Sequence, residues 1–415
     1  MSEFERVCVI GLGYVGLPTA AVMANRGIQV IGVDRNADTV GLINQGEVHI
    51  VEPGLDILVR SAVASGKLKA VIKPEPADAF ILAVPTPFSD GNLPDLSYLE
   101  SAARDLAPVL AAGNLVILES TSPVGTTEEI AKWLSALRPD LSFPTQNGED
   151  ADIRLAHSPE RVLPGRVLIE LVDNDRVIGG LSEKCSRAAA DLYKLFVNGA
   201  CHLTDARTAE LVKLAENAYR DTNIAFANEM SLVCEKVGVD VWDVIGLANR
   251  HPRVEILKPG PGVGGHCIAV DPWFIVSSAP DATPLITAAR GVNDAKPKRI
   301  ADQILAAAKG QNAIACLGLS YKADIDDLRE SPAVEIVQIL GDNFSGDIYL
   351  VEPNISRLPE TLDVFGNLTL TDLDRAISAA TIVALLTDHR EFKDIDQKML
   401  TGKTIFDTRG IWRNN

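Results

Sequence analysis

The amino-acid sequence predicts an α/β protein, with an N-terminal Rossmann domain and a C-terminal Rossmann-like domain joined by a long central helix. Three observations predict it. Val7 to Asp34 reads as strand, glycine-rich turn, apolar helix and strand. Thr208–Gly238 holds an amphipathic pattern with no proline and no internal glycine. From Asn312 onward, short strand patterns alternate again with helical ones. At 415 residues the chain exceeds one ordinary core. Domain limits are expected at 1–203, 204–305 and 306–415.

The elements follow in order. Val7–Ile10 reads as a buried strand, Gly11 as a turn, Gly16–Asn25 as a helix and Gln29–Val33 as a second strand ending in Asp34. Ala79–Val84 and Leu115–Glu119 are further strands. Val167–Leu171 and Val177–Gly179 are read as extending the same sheet, with Glu183–Phe196 as its closing helix. A helix of roughly 30 residues over Thr208–Gly238 would be about 45 Å long. That is too long for an ordinary crossover, and suits a spine between domains that also offers a face for dimer packing. Asp240–Asn249 is a second helix. The third region alternates through Ala313–Leu317, Val334–Leu340, Asp347–Val351, Thr381–Leu386 and Thr404–Asp407, but Gly318 stands alone in its first turn.

A composition of 47% hydrophobic and 23% charged residues is that of a folded chain. The net charge of -17 argues against nucleic acid or an anionic membrane as partner. It leaves room for an anionic small substrate held by local cations. Met1–Arg6 is polar and runs straight into a strand, no apolar run reaches membrane-spanning length, and the chain is expected in the cytoplasm. The six cysteines are scattered without metal-ligand spacing, so free thiols are expected and no metal site.

Gly11-Leu12-Gly13-Tyr14-Val15-Gly16 matches G-x-G-x-x-G between a strand and a helix. Gly11 allows the tight turn, Gly13 the approach of a pyrophosphate, and Gly16 close helix–strand packing. Tyr14 and Val15 belong to the same contact. The helix N-terminus offers free N–H groups to the diphosphate. Asp34, at a strand end, is expected to accept the ribose hydroxyls and repel a 2′-phosphate, which favours NAD over NADP; Arg35 beside it could attract one. Thr86 and Thr121, each just after a strand, are expected to contact the cofactor.

Pro259–Asp271 sets four glycines around Cys267, which suits a loop that approaches a ligand and leaves space around a thiol. His266 and Asp271 are placed to influence that thiol. Cys267 is either a reactive or a buried structural thiol on spacing alone. A nucleophilic cysteine in a dehydrogenase suits oxidation of an alcohol through an aldehyde to an acid. That chemistry needs a cation near the oxyanion and a carboxylate to activate water. Lys213 and Asn217 share a helix face, and Glu160 follows the first sheet. The bland alternatives are a solvent-facing Lys213 and a surface ion pair between Glu160 and Arg161.

Gly11–Gly16, Ser120–Gly125, Ser158–Arg161, Lys213 with Asn217, Gly264–Asp271 and Gly318–Pro332 together resemble the nucleotide-sugar 6-dehydrogenase family, which includes UDP-glucose and GDP-mannose dehydrogenases. The resemblance runs over nearly the whole chain. It implies oxidation of a sugar C6 alcohol to a carboxylate with two NAD, and a homodimer packed through the central helices. It implies Cys267 as nucleophile, Lys213 and Asn217 at the oxyanion, Asp271 at a catalytic water, Glu160 as general base and Thr121 near both cofactor and water. It also implies that Lys322 and Arg253 contact the sugar nucleotide, that Arg161, Val162 and Gly264 line its site, and that Arg329 contacts the NAD diphosphate. Ile268-Ala269-Val270-Asp271 after the cysteine resembles the branch acting on acetamido sugars. The implied substrate is UDP-N-acetyl-D-mannosamine, with UDP-N-acetyl-D-glucosamine as the alternative. A non-catalytic NAD-binding scaffold or sensor is the reading from outside the enzyme class.

Overall fold

The computed structural model describes residues 4–413 except Asp90, Pro164 and His266. The chain forms two compact units: residues 1–216 with 273–280, and residues 217–272 with 281–415.

Among the described residues the first unit contains ten strands: β1 Arg6–Ile10, β2 Gln29–Val33, β3 Leu68–Val71, β4 Ala79–Leu82, β5 Phe88–Ser89, β6 Leu93–Pro94, β7 Leu115–Leu118, β8 Arg154–His157, β9 Arg176–Gly180 and β10 Cys201–Asp205. Eight of these make one sheet in the order β10-β9-β8-β7-β4-β1-β2-β3, while β5 and β6 form a separate hairpin. The pairings from β3 across to β8 are parallel, β9 is antiparallel to β8, and β10 is parallel to β9. Alternate residues feed two cores. Val7 and Val9 join Leu17, Ala20 and Tyr193 on one face, and Cys8 and Ile10 join Phe80 and Leu99 on the other.

The expected strands β1, β2, β4, β7 and β9 are present, but Val167–Leu171 is not a strand. It lies in a helix, Val167–Asp173. Val167 and Leu171, four residues apart, are buried, whereas Ile169 between them is 58% exposed. That is a helical period rather than a strand alternation. Glu52 accepts the amides of Gly165 and Val167 at 2.8 Å each, which satisfies N–H groups that a helix start leaves open. Strands β3, β8 and β10 were not anticipated; each has only four or five residues, and β10 lies at an edge with an exposed face.

The long helix spans Ala206–Val237, 32 residues, close to the expected range. Asp240 caps the next helix, Val241–Ala248, by accepting the amides of Trp242 and Asp243. The second unit carries a parallel sheet of β11 Ala313–Leu317, β12 Asp347–Val351, β13 Leu368–Leu370, β14 Ile382–Leu385 and β15 Thr404–Asp407, in the order β13-β12-β11-β14-β15. A 24-residue helix, Pro284–Ala307, precedes it and had no counterpart in the sequence reading. Its Pro297 sits inside the helix and disguises the pattern. Arg290 and Asn293 on this helix bind Asp221 of the long helix at 2.6 and 2.8 Å. Among the described residues, no helix is long and apolar enough to cross a membrane.

Candidate active site

In the first unit the glycine turn has the geometry that a dinucleotide needs. Gly11 has φ +95°, and a Cβ there would lie 2.5 Å from the carbonyl oxygen of Ala83. A Cβ on Gly16 would meet the carbonyl of Gly11 at 1.8 Å, so helix and turn approach as only glycine allows. Gly13 differs: a Cβ there would meet nothing within 4 Å. The backbone therefore faces open space where a pyrophosphate would approach. The following helix, Gly16–Asn25, has no side-chain cap. Half-buried Asp34 accepts the Leu12 amide at 3.2 Å and the Asn36 amide at 2.9 Å, which aims its carboxylate at the turn. These residues fit NAD. Tyr14 packs on the core beneath them.

Arg35 turns toward Ser101 and pairs with Asp105 at 2.7 Å, so its charge is already countered. The two strand-end loops are fastened together. Thr86 donates its hydroxyl to the carbonyl of Thr121 at 2.6 Å, and Ser120 donates to that of Val84 at 2.6 Å.

Glu160 and Arg161 do not pair with each other. Arg161 binds Glu216 at 2.7 Å, while the buried Glu160 binds Arg176 at 2.6 Å and accepts the Arg161 amide at 2.7 Å. Arg176 also reaches Glu119, a buried carboxylate that accepts the Tyr193 hydroxyl at 3.1 Å. Sequence reading missed Arg176, Glu119 and Tyr193. The signal was present: Arg176 opens a strand and Glu119 closes one, where a charged side chain turned inward requires a partner. Val162 packs against the same core. Lys213 is half-buried, and among the described residues its amine has no hydrogen-bond or ion-pair partner.

In the second unit Cys267 is exposed, whereas Cys8, Cys185, Cys234 and Cys316 are buried and Cys201 is half-buried; all six are free thiols. Burial pushes the Cys8 and Cys316 thiols up to about 12, which removes them as nucleophiles. The carbonyl of Cys267 accepts the amides of Val270 and Asp271 at 3.1 and 2.8 Å, closing a turn onto the helix Asp271–Ser278. Asn217 donates its side-chain amide to the buried Asp271 carboxylate, tying the long helix to the cysteine loop. Gly260 is held by the side chain of Asn228 at 2.9 Å. His266 lies outside the described residues.

Two of the loop glycines are required by packing. A Cβ on Gly264 would meet the Glu330 carbonyl at 2.5 Å, and one on Gly265 the Tyr321 ring at 2.8 Å. They allow the cysteine loop to pack on the 321–332 segment. In that segment Arg329 makes a two-pronged pair with Asp327, at 2.9 and 2.6 Å. Lys322 is half-buried, with its carbonyl accepting the Ser320 hydroxyl, and Arg253 is exposed. The structure thus brings Asn217, Asp271 and Cys267 together in the second unit. In the first it brings Glu160 to Arg176, and Thr86 to Thr121.

Three segments match the UDP-glucose/GDP-mannose dehydrogenase family: residues 5–197 its NAD binding domain, 207–295 its central domain and 315–414 its UDP binding domain. An NDP-N-acetyl-D-galactosaminuronic acid dehydrogenase of Ralstonia nicotianae is 60% identical over 99% of this chain and 97% of its own. A UDP-N-acetyl-D-mannosamine dehydrogenase of Yersinia pestis is 56% identical over 99% of this chain and 100% of its own. Among solved structures, the UDP-D-ManNAc dehydrogenase of Pyrococcus horikoshii superposes with a TM-score of 0.89 at 40% identity, over 99% of this chain and 96% of that one.

Proposed function

Because the chain belongs to the UDP-glucose/GDP-mannose dehydrogenase family, and is thereby an NAD-dependent nucleotide-sugar dehydrogenase, we propose that it oxidises UDP-N-acetyl-D-mannosamine at C6 to the uronate, consuming two NAD and one water. The observation that carries the four-electron reading is the exposed Cys267 thiol, in a loop fastened through Asp271 to Asn217. A dehydrogenase that stops at an aldehyde has no use for such a thiol.

NAD, when bound at the Gly11–Gly16 turn, takes up the electron pair of each oxidation. Cys267 adds to the aldehyde carbon, and its second oxidation product is a thioester. Lys213 and Asn217 stabilise the oxyanion, Asp271 holds the attacking water, Glu160 takes its proton, and Thr121 orients water and cofactor. Lys322 and Arg253 counter the charge of the UDP group, Arg329 that of the NAD diphosphate, and Arg161, Val162 and Gly264 shape the sugar site. The functional division is 1–203 for NAD, 204–305 for the cysteine loop and dimerisation, and 306–415 for UDP-sugar. On the long helix Tyr219, Phe226 and Val233 recur every seventh residue and are exposed, which supports a homodimer packed through these helices. The cytoplasm, where thiols stay reduced, is the proposed location.

A second reading, the galacto-configured acetamido sugar, is favoured by the Ralstonia relative. Purified protein given the manno, gluco and galacto UDP-acetamido sugars in parallel should turn over the first fastest and release two NADH per sugar. One NADH with free aldehyde sinks the mechanism, and a faster galacto or gluco substrate replaces the sugar. Cys267→Ser should abolish turnover while leaving NAD binding intact; full activity in that variant removes the nucleophile.

A further inference from the structure

Glu160 shares its guanidinium with a second buried carboxylate. Arg176 is 3% exposed and Glu119 1% exposed. Nη2 of Arg176 lies 2.6 Å from Glu160, and Nη1 lies 3.4 Å from Glu119. The guanidinium sits over the Tyr193 ring, 4.6 Å from its centroid, and so is confined from a third side. The hydroxyls of Tyr193 and Thr19 point at opposite oxygens of Glu119, at 3.1 and 3.4 Å. Glu119 is therefore faced by Arg176, Glu160, Tyr193 and Thr19, from a strand, a strand end and two helices. Ser120 and Thr121 follow it directly in the chain, and Ser120 is bonded to the Val84 carbonyl.

Two carboxylates and one guanidinium leave an uncompensated negative charge without water, which favours retention of one proton by the group. Glu160 has the short contact to the cation, so the proton falls to Glu119. Burial pushes Glu119 up to about 7, against the pull of Arg176 and with the push of Glu160.

We propose that Arg176 is the positioning residue for Glu160, and that Glu119, by sharing that guanidinium, sets how strong a base Glu160 is. The inference rests on the reading of Glu160 as the base of thioester hydrolysis. In that step the water oxygen bonds to the acyl carbon and one water proton goes to Glu160. The C–S bond breaks, and its electron pair leaves on the Cys267 sulfur. An undivided Arg176 would hold Glu160 strongly as the anion and weaken it as a base. An ionised Glu119 takes part of that field and restores basicity.

The test uses the full-length enzyme, NAD and whichever UDP-acetamido sugar the wild type turns over. The kcat–pH profile is read from about pH 5.5 to 9, with the Cys267 acyl adduct followed by intact mass. Glu119→Gln, neutral as protonated Glu119 is, should flatten the acid limb by removing the rise in kcat that accompanies Glu119 ionisation, with both KM values within about twofold. Arg176→Lys keeps the charge but not the fork. It should lower kcat on the order of 10- to 100-fold and accumulate acyl-enzyme, as Glu160→Gln does. Unmoved limbs in Glu119→Gln overturn the tuning role, and a lower kcat in Arg176→Lys without adduct overturns the positioning role. If Arg176→Lys does not fold, the Glu119→Gln profile decides. A wild type that reduces NAD on no nucleotide sugar overturns both the proposed reaction and this inference; a competent wild type with an unmoved limb overturns this inference alone.

Discussion

At the end of β2 the chain reads Asp34-Arg35-Asn36, and at the end of β12 it reads Glu352-Pro353-Asn354. The two corners share a backbone plan. Gly11 donates its amide to Val33 and Gly318 to Val351, both at 2.8 Å. Both glycines have positive φ, +95° and +90°, and each is followed by a fully buried leucine, Leu12 or Leu319. In both corners the acid accepts the leucine amide, at 3.2 Å from Leu12 and 2.7 Å from Leu319. The plan ends there. Asp34 is half-buried and aimed at an open turn, whereas Glu352 is buried and fully engaged. It accepts Ser320 and Leu319 amides and the His389 Nε2–H at 3.0 Å. The tautomer follows from the Asp324 amide, which donates to Nδ1. Where the first turn has Gly13 and Gly16, the second has Ser320 and Ala323, and the Ser320 hydroxyl is spent on the Lys322 carbonyl. The same strand–turn–strand corner is left open for a dinucleotide in one unit and filled by the protein's own side chains in the other.

The comparison breaks most visibly if the acids exchange roles. Glu352→Ala leaves His389 buried without its acceptor, and should destabilise the second unit by about 3–5 kcal/mol with NAD affinity unchanged. Asp34→Asn should weaken NAD on the order of tenfold with no measurable stability change. Denaturant unfolding and NAD titration of both variants decide it. A Glu352→Ala protein that unfolds like the wild type would show that the second corner is not held by its acid.

Much of this was legible in the sequence, and what was missed has a physical reason. The first corner announced itself because three glycines at fixed spacing are needed to bring a ligand close. The second did not, because a turn packed by Ser320, His389 and Glu352 gathers residues 69 and 37 positions apart, and no local pattern records that. Cys267 was visible by its glycines, two of which, Gly264 and Gly265, pack against Glu330 and Tyr321. Glu160 was legible as a candidate base but its partner was not: the bland alternative of a pair with Arg161 fails, since the fold supplies Arg176. Val167–Leu171 misled because a short apolar run fits a strand or a helix equally until a partner such as Glu52 fixes its start.

A second contrast sets two buried acids against each other across pH. Burial raises Glu119 to about 7. Its stabilising contribution is therefore complete below the ordinary 4.5 and lost as pH rises through 7. For Glu352 burial pushes up, but the hydrogen bond from His389 and the Leu319 amide outweigh it and leave about 2. Its contribution is complete above 4.5 and lost as pH falls through 2. The stability difference between wild type and Glu119→Gln should shift by about 3 kcal/mol between pH 4.5 and 7, then stay level in acid. The corresponding difference for Glu352→Gln should be level from pH 4.5 to 7 and shift only below. Urea unfolding from about pH 3 to pH 7 tests both, and coincident windows would erase the contrast.

The smallest effect lies at the middle residue of each corner, Arg35 in the first and Pro353 in the second. Proline offers the second corner no charge. Arg35 offers one, beside Asp34, but its guanidinium is paired with Asp105. Both side chains of that pair are largely exposed, so the ion pair itself contributes little. Its effect is on direction, because a guanidinium held at Asp105 does not swing toward a 2′-phosphate. Asp105→Asn releases it. If Asp34 repels the phosphate as expected, the gain is modest: the NADP-to-NAD ratio of kcat/KM should rise about two- to fivefold, with NAD itself unchanged. Steady-state assays with both nucleotides measure it. An unchanged ratio would mean that Asp34 alone sets the preference, and that the first corner needs no restraint on its arginine.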